Sequence, residues 1–220
     1  MARRRLDVAL VERGLFDSRA KARAAIEAEA AHPWVGRGAL KLAHALELWP
    51  TTMAGAVVLD VGASTGGFTE VCLAGGAGRV YAVDVGRGQL HAKIASDPRV
   101  VSLEATDARA LSATVIPESI DLIVCDVSFI GLAKVLPAAL ALARPGGVLI
   151  ALVKPQFEVG PAKVGKGGLV RDPAARAEAV AAVRAFLEGQ GWSVLAVAPS
   201  PILGGDGNEE FLLRADKTRY

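Results

Sequence analysis

Cysteine is nearly absent from this chain: Cys72 and Cys125 stand far apart and in no CxxC spacing. That excludes a disulfide framework and points to a reduced, cytoplasmic protein. His32, His44 and His91 are scattered without ligand spacing, so no metal is expected. No apolar run approaches the ~20 residues that a bilayer requires, the longest, such as Val148 to Val153, being strand length. No membrane partner is therefore expected. The opening Met1-Ala2-Arg3-Arg4-Arg5-Leu6-Asp7 lacks the apolar stretch of a signal peptide. Internal repeats and low-complexity tracts are lacking as well. Aromatic residues make up only 5% of the chain, yet hydrophobic residues reach 52%, which excludes disorder and can fill a sizeable core. Trp34, Trp49 and Trp192 are expected to pack at element ends.

Excess charge of either sign is also lacking, the formal net charge being +2. The basic residues are nonetheless uneven. Arg3, Arg4, Arg5, Arg13, Arg19, Lys21 and Arg23 crowd the start, a patch able to meet phosphates whatever the total charge. A solvated helix face offset by Asp7, Glu12, Asp17, Glu27 and Glu29 is an equal reading of the same residues. The first thirty residues read as two short helices, the first ended by Gly14 and the second capped by Ser18. After the His32-Pro33 break, a further amphipathic helix is expected, with Leu40, Ala43, Leu46 and Leu48 apolar, stopping near Pro50.

From Ala56 the pattern alternates. Apolar, β-branched runs occur at 56–61, 79–85, 99–103, 120–126, 146–153, 192–198 and 210–214, with helical stretches at about 66–75, 87–96, 131–143 and 174–189. Alternation of this kind specifies βαβ units with right-handed crossovers. The last two runs are joined by a loop, Pro199 to Asn208, without a helix, which suits an antiparallel pair at the sheet edge. The expected fold is α/β: a Rossmann-like, seven-stranded, mostly parallel sheet with helices on both faces.

The strongest motif is Leu59-Asp60-Val61-Gly62-Ala63-Ser64-Thr65-Gly66-Gly67-Phe68, a strand feeding a glycine turn that opens a helix. Glycines let a ligand approach the backbone, and a helix N-terminus offers unpaired N–H groups. One strand later Asp84, followed by Val85, stands where a carboxylate takes the hydroxyls of an adenosine ribose. A dinucleotide site favours a second glycine where Ser64 stands, and Asp60 before the turn would repel a diphosphate. A cationic sulfonium nucleoside, S-adenosylmethionine, suits these acids better than NAD does. Asp107, after the third strand, is placed to accept a hydrogen bond from the adenine amino group. The turn taken alone could be purely structural.

Methyl transfer to a hydroxyl requires alignment and a group that takes or stabilises the loss of a proton. Four ionisable residues stand where this is possible: Lys41 on the leading helix, Asp126 and Lys154 ending the fourth and fifth strands, and Glu210 beginning the last. Ligands bind at the carboxyl ends of strands in open α/β sheets, so Asp126 and Lys154 should face the crevice. A buried ion-pair network with a purely structural role is the competing reading. Cys125 is most simply a small core residue beside Asp126.

Several segments together resemble the TlyA family, ribosomal-RNA 2′-O-methyltransferases with an FtsJ-type catalytic domain. They are Arg37-Gly38-Ala39-Leu40-Lys41-Leu42, the turn from Leu59 to Thr69, Val80 to Leu90, Cys125-Asp126-Val127-Ser128-Phe129-Ile130, Val153 to Glu158, Gly165 to Pro173, and Gly207-Asn208-Glu209-Glu210-Phe211-Leu212. The resemblance implies a Lys-Asp-Lys-Glu tetrad at Lys41, Asp126, Lys154 and Glu210. In it Lys154 acts on the 2′-hydroxyl as base or by stabilising the alkoxide. It further implies a cofactor site including Asp126, and a mobile loop at 165–173 carrying Lys166 and Arg171 towards RNA. Arg37 joins these as an RNA contact, and ribosomal RNA or its subunits are the implied partners, with cytidine the implied nucleotide. The domain reading is 1–30 as a shortened RNA-binding-like helical segment, 31–55 as linker and leading helix, and 56–220 as the methyltransferase domain. The family usually opens with a larger domain whose β portion is missing here, and a segment of about thirty residues buries no core alone. Gly36 stands where a serine is common. A catalytically weak RNA- or ribosome-binding protein is the alternative. A membrane-acting haemolysin rests on a family label alone, since no strong amphipathic membrane helix is found.

Overall fold

A computed structural model describes Ser18 and residues 32–219. The two helices expected within 1–30, with Arg3, Arg4, Arg5, Arg19, Lys21 and Arg23, lie outside the described residues.

The chain runs α1 (Gly38–Leu48), β1 (Val57–Val61), α2 (Gly67–Ala74), β2 (Arg79–Val83), α3 (Ala92–Ala95), β3 (Val100–Leu103), β4 (Ile120–Cys125) and α4 (Leu132–Leu142). It continues with β5 (Ala143–Val153), α5 (Pro155–Glu158), α6 (Pro173–Gly189), β6 (Trp192–Pro199) and β7 (Phe211–Lys217). The strands form one sheet in the order β3-β2-β1-β4-β5-β7-β6, parallel except that β7 runs antiparallel to both β5 and β6. Apolar side chains fill both faces. One cluster packs Leu59, Ile123, Leu136, Leu149, Leu187 and Trp192. The other packs Leu42, Val58, Phe68, Val71, Val124 and Leu152 beneath α1 and α2. The seven-stranded α/β architecture is as expected.

Three local expectations are corrected. The helix expected at 87–96 shrinks to Ala92–Ala95. The Glu104 carboxylate accepts the backbone N–H groups of Gly88, Gln89 and Leu90 at 3.0, 2.7 and 3.1 Å, which holds that stretch as a loop. The fifth strand begins at Ala143 rather than 146, across a register shift opposite Ile120 and Leu122. The leading helix buries Ala39, Lys41, Leu42 and Ala45, not the face of Leu40, Ala43, Leu46 and Leu48, and Leu48 is 44% exposed. Its approach to α2 is close because Gly67 has no side chain: a Cβ there would lie 3.1 Å from the Ala39 nitrogen. The face turned inward therefore carries a lysine, which apolar periodicity does not reveal.

Strand order reverses at β1, which has β2 on one side and β4 on the other. A crevice at the carboxyl ends follows from that reversal. The antiparallel β7 adds a second consequence. Its register pairs Val153 with Phe211, so the end of β5 meets the beginning of β7. Lys154 and Glu210, one residue beyond that pair on each strand, are thereby brought to the same edge.

Candidate active site

The crevice at the reversal point has a volume of about 600 Å³ and is lined by Gly62, Ser64, Asp84, Val85, Asp107 and Asp126, among others. Its floor is the turn after β1. Gly62 has φ +86°, and a Cβ there would lie 3.0 Å from both the Asp126 carbonyl oxygen and Val127 Cγ1. Ser64, where a dinucleotide site would favour glycine, adopts φ +47°, a left-handed conformation that few side chains take. Its N–H donates to Asp84 Oδ2 at 2.8 Å while Gly86 N–H donates to Asp84 Oδ1 at 2.7 Å. The Asp84 carboxylate is thus fixed by two backbone donors at the crevice wall. Asp107 also lines the crevice, but Arg109 grips it through Nε at 3.0 Å and Nη2 at 2.6 Å. Those hydrogen bonds hold the Asp107 carboxyl down at about 2. Val85 and Phe129 stand on the lips, 72% and 90% exposed. Phe129 holds φ +69°, and its ring packs against Phe157 with centroids 5.2 Å apart.

A second, smaller pocket of about 220 Å³ adjoins the first and shares Gly62, Ser64, Asp126 and Ser128 with it. Ala63, Thr65 and Phe68 face this pocket together with Arg37 and Lys154. A Cβ on Gly36 would lie 2.7 Å from Thr65 Oγ1, so a serine there would require Thr65 to rotate. Gly66 and Asp60 line neither pocket. Gly66 caps α2 with φ +95° beneath Leu90 and Ile94. Asp60 is fully buried: Thr69 Oγ1 donates to its Oδ2 at 2.6 Å, and its Oδ1 has no hydrogen-bond partner. Burial raises its carboxyl to about 7, opposed by the Thr69 hydrogen bond and assisted by the Asp126 charge. The carboxylate expected at an acidic mouth thus lies beneath the turn instead.

Behind the small pocket the four separated ionisable residues converge. Lys154 Nζ lies 2.6 Å from Asp126 Oδ1. Lys41 Nζ lies 3.5 Å from Asp126 Oδ2 and donates to Glu210 Oε2 at 2.7 Å. The result is a chain of alternating charge, Glu210–Lys41–Asp126–Lys154, with only its Asp126 and Lys154 end reaching a pocket wall. The side chains are 3 to 16% exposed, so each charge depends on its neighbours for compensation. Lys154 Nζ also donates to Ser128 Oγ at 2.9 Å, a contact that strand-end reasoning missed. Cys125, beside Asp126, is a buried core thiol that burial pushes up to about 12. Among the RNA candidates, Arg37, Lys166 and Arg171 are exposed. The loop bearing the last two is tethered: Asn208 Oδ1 accepts Val170 N–H and Asn208 Nδ2 donates to the Gly168 carbonyl, both at 2.9 Å. No group of three or more His, Cys, Asp or Glu among the described residues could hold a metal, and no helix among them is long and apolar enough to cross a membrane.

The chain as a whole is similar to known proteins. A 16S/23S rRNA (cytidine-2′-O)-methyltransferase, TlyA of Mycobacterium tuberculosis, is 45% identical, with 97% of this chain and 90% of that protein covered. A solved structure from Streptococcus thermophilus, named provisionally as a hemolysin, superposes with a TM-score of 0.87 at 36% identity, covering 98% of this chain and 88% of that one. An S-adenosylmethionine-dependent methyltransferase described from Listeria monocytogenes shares the fold, with a TM-score of 0.62 at 16% identity over 82% of this chain and 98% of its own. Residues 34–217, from just before α1 to the last residue of β7, match one catalytic family throughout, and the chain accordingly belongs to the FtsJ-like methyltransferases.

Proposed function

We propose that this chain transfers the methyl group of S-adenosylmethionine to a ribose 2′-hydroxyl of ribosomal RNA, cytidine being the nucleotide that its relative's name indicates. The observation carrying this reading is the buried Glu210–Lys41–Asp126–Lys154 chain, which ends at a pocket wall beside the crevice. The crevice fits the cofactor on two counts. Its volume falls within the ~300–1,000 Å³ of small-molecule sites, and it presents a carboxylate, Asp84, rigidly held for a diol. Asp84 would hold the ribose, Val85 and the Ala108 wall the adenine, and the turn 62–64 the amino-acid portion. S-adenosylmethionine, when bound, supplies a methyl group on a cationic sulfur.

The remaining work falls to the chain's own residues. The acceptor oxygen gains a carbon and its proton must leave. Asp126 holds the Lys154 amine at the wall and Ser128 accepts one of its N–H bonds, which fixes the direction of what remains. As a neutral amine Lys154 takes the hydroxyl proton; as an ammonium it stabilises the oxyanion left when that proton passes to water. Lys41 and Glu210 complete the charge balance from behind. Arg37, Lys166 and Arg171 supply exposed cations for phosphates. The exposed face of Phe129 supplies a platform for an unstacked base.

The test is incubation of the protein and labelled S-adenosylmethionine with ribosomal RNA and with subunits, followed by nuclease digestion and mass spectrometry. A 2′-O-methylated nucleoside is expected. Label on a base, or no transfer to any ribosomal RNA, overturns the reading, and RNA binding without turnover favours the binding-protein alternative.

A further inference from the structure

The described residues contain one buried polar side chain whose partners join two loops, and the charged cluster accounts for neither. Asn208 is 2% exposed. Its Oδ1 accepts Val170 N–H at 2.9 Å, and its Nδ2 donates to the Gly168 carbonyl and to Asp206 Oδ2, each at 2.9 Å. Its own N–H donates to Asp206 Oδ1 at 3.1 Å, and its carbonyl accepts Gly204 N–H at 2.9 Å. A carboxamide presents a donor and an acceptor in one plane, so it can meet a backbone N–H and a backbone C=O two residues apart, as a neighbouring strand would. Neither aspartate nor serine does both in this geometry.

What Asn208 joins gives it a role. On one side is the loop 165–170, in which Gly167 and Gly168 both take φ +77°, flanked by the exposed Lys166 and Arg171. Val170, 3% exposed, pins that loop inward. On the other side, two residues along the chain, Glu210 accepts from Lys41. Between them Glu209 pairs with Arg176 of α6, so the short run 208–210 is held on both flanks. The 165–170 loop thus has a route of two residues, through Asn208, to the backbone that aims the Glu210 carboxylate.

We infer that Asn208 is a positioning residue for methyl transfer, coupling the seating of the cationic 165–171 loop to the Glu210–Lys41 contact. The inference rests on the function proposed above. Acting through Glu210, it governs turnover as well as RNA capture, whereas a loop anchor alone would change only the KM for RNA.

The test compares wild type, Asn208→Ala and the near-isosteric Asn208→Asp. Asp keeps the acceptor for Val170, loses both donated hydrogen bonds and sets a negative charge against Asp206. Melting and S-adenosylhomocysteine binding report on folding and on the crevice: Asn208→Asp is expected to melt lower than wild type yet to stay folded at the assay temperature, with nucleoside binding near wild type. Its kcat is expected to fall by about tenfold or more, with faster tryptic cleavage after Lys166 and Arg171. In a Glu210→Gln background, Asn208→Asp is expected to cost little further kcat, since both changes sever the same link. A folded Asn208→Asp variant with wild-type kcat, unchanged cleavage, or a loss fully additive with Glu210→Gln overturns the inference. Failure of the wild type to transfer methyl groups would sink the functional reading instead, and the tryptic comparison would still decide whether Asn208 clamps the loop.

Discussion

On one side of the strand-order reversal, the crevice is built from backbone: Asp84 is held by the N–H groups of Ser64 and Gly86, within 20 residues along the chain. On the other side, the charged cluster is built from side chains alone, and its Lys41–Glu210 link spans 169 positions. The first is a set of turns whose conformations are set locally, so a substitution should alter affinity and little else. The second is a row of mutually compensating charges withdrawn from water, where removing one leaves its neighbour unpaired. Two carboxylates sharpen the contrast. Asp126, flanked by Lys154 and Lys41, sits in a network of cations. Asp60, on the adjacent strand, has one oxygen bound to Thr69 and the other unpartnered, and burial raises it to about 7.

If the two regions are separable, Lys154→Ala lowers methyl transfer by about a thousandfold, within the ~10²–10⁴ that a positioned proton-transfer group contributes. Binding of S-adenosylhomocysteine by calorimetry is expected to persist, and parallel loss of both would erase the distinction. Asp84→Ala does the reverse. It releases two backbone donors from a charged acceptor, worth about 2 kcal/mol, so cofactor affinity is expected to fall by roughly 30-fold with kcat at saturation much less affected. A smaller effect is expected from Gly204→Ala, because a Cβ there would lie 2.5 Å from Glu210 Oε1 and press the carboxylate away from Lys41. Turnover should fall by several-fold to about tenfold without change in cofactor affinity.

A further effect is on stability and not on turnover. A carboxyl raised to about 7 in the fold, against about 3.9 in the unfolded chain, contributes stability in full below the lower value and loses it as pH rises through the higher. The urea midpoint of the wild type should therefore carry a component that falls between about pH 4 and pH 7. Asp60→Asn should remove that component, and an unchanged pH slope in the variant would refute this account of Asp60.

Much of the site was legible because its residues terminate strands. Asp84, Asp126 and Lys154 follow apolar runs at the carboxyl edge, where an open α/β sheet binds its ligands. Lys41 stood out from the residues only as an ionisable group on the leading helix, and the resemblance alone placed it in a tetrad, since apolar spacing picks out the opposite face of its helix; a lysine balanced by Glu210 and Asp126 disguises the inward face. The helix expected at 87–96 failed because Glu104, which arrives from β3, captures three N–H groups that would otherwise open it. Ser128 and Asn208 carry no sequence signal of their own, because a hydroxyl or carboxamide acquires a role only from what comes to face it. Asp60 reads as a surface acid from its place before a glycine turn, yet its side chain turns away from the crevice, under α2.

The succession of apolar runs and helices was decided by the sequence, and with it the βαβ fold and the residues that end each strand, because periodicity and turn chemistry act over a few residues. Which charges meet was decided by tertiary structure. The antiparallel entry of β7 carries Glu210 to the carboxyl edge, and the close α1–α2 contact at Gly67 brings Lys41 beside it. Ion pairing is indifferent to distance along the chain, so the partners become defined only once the sheet order and packing exist.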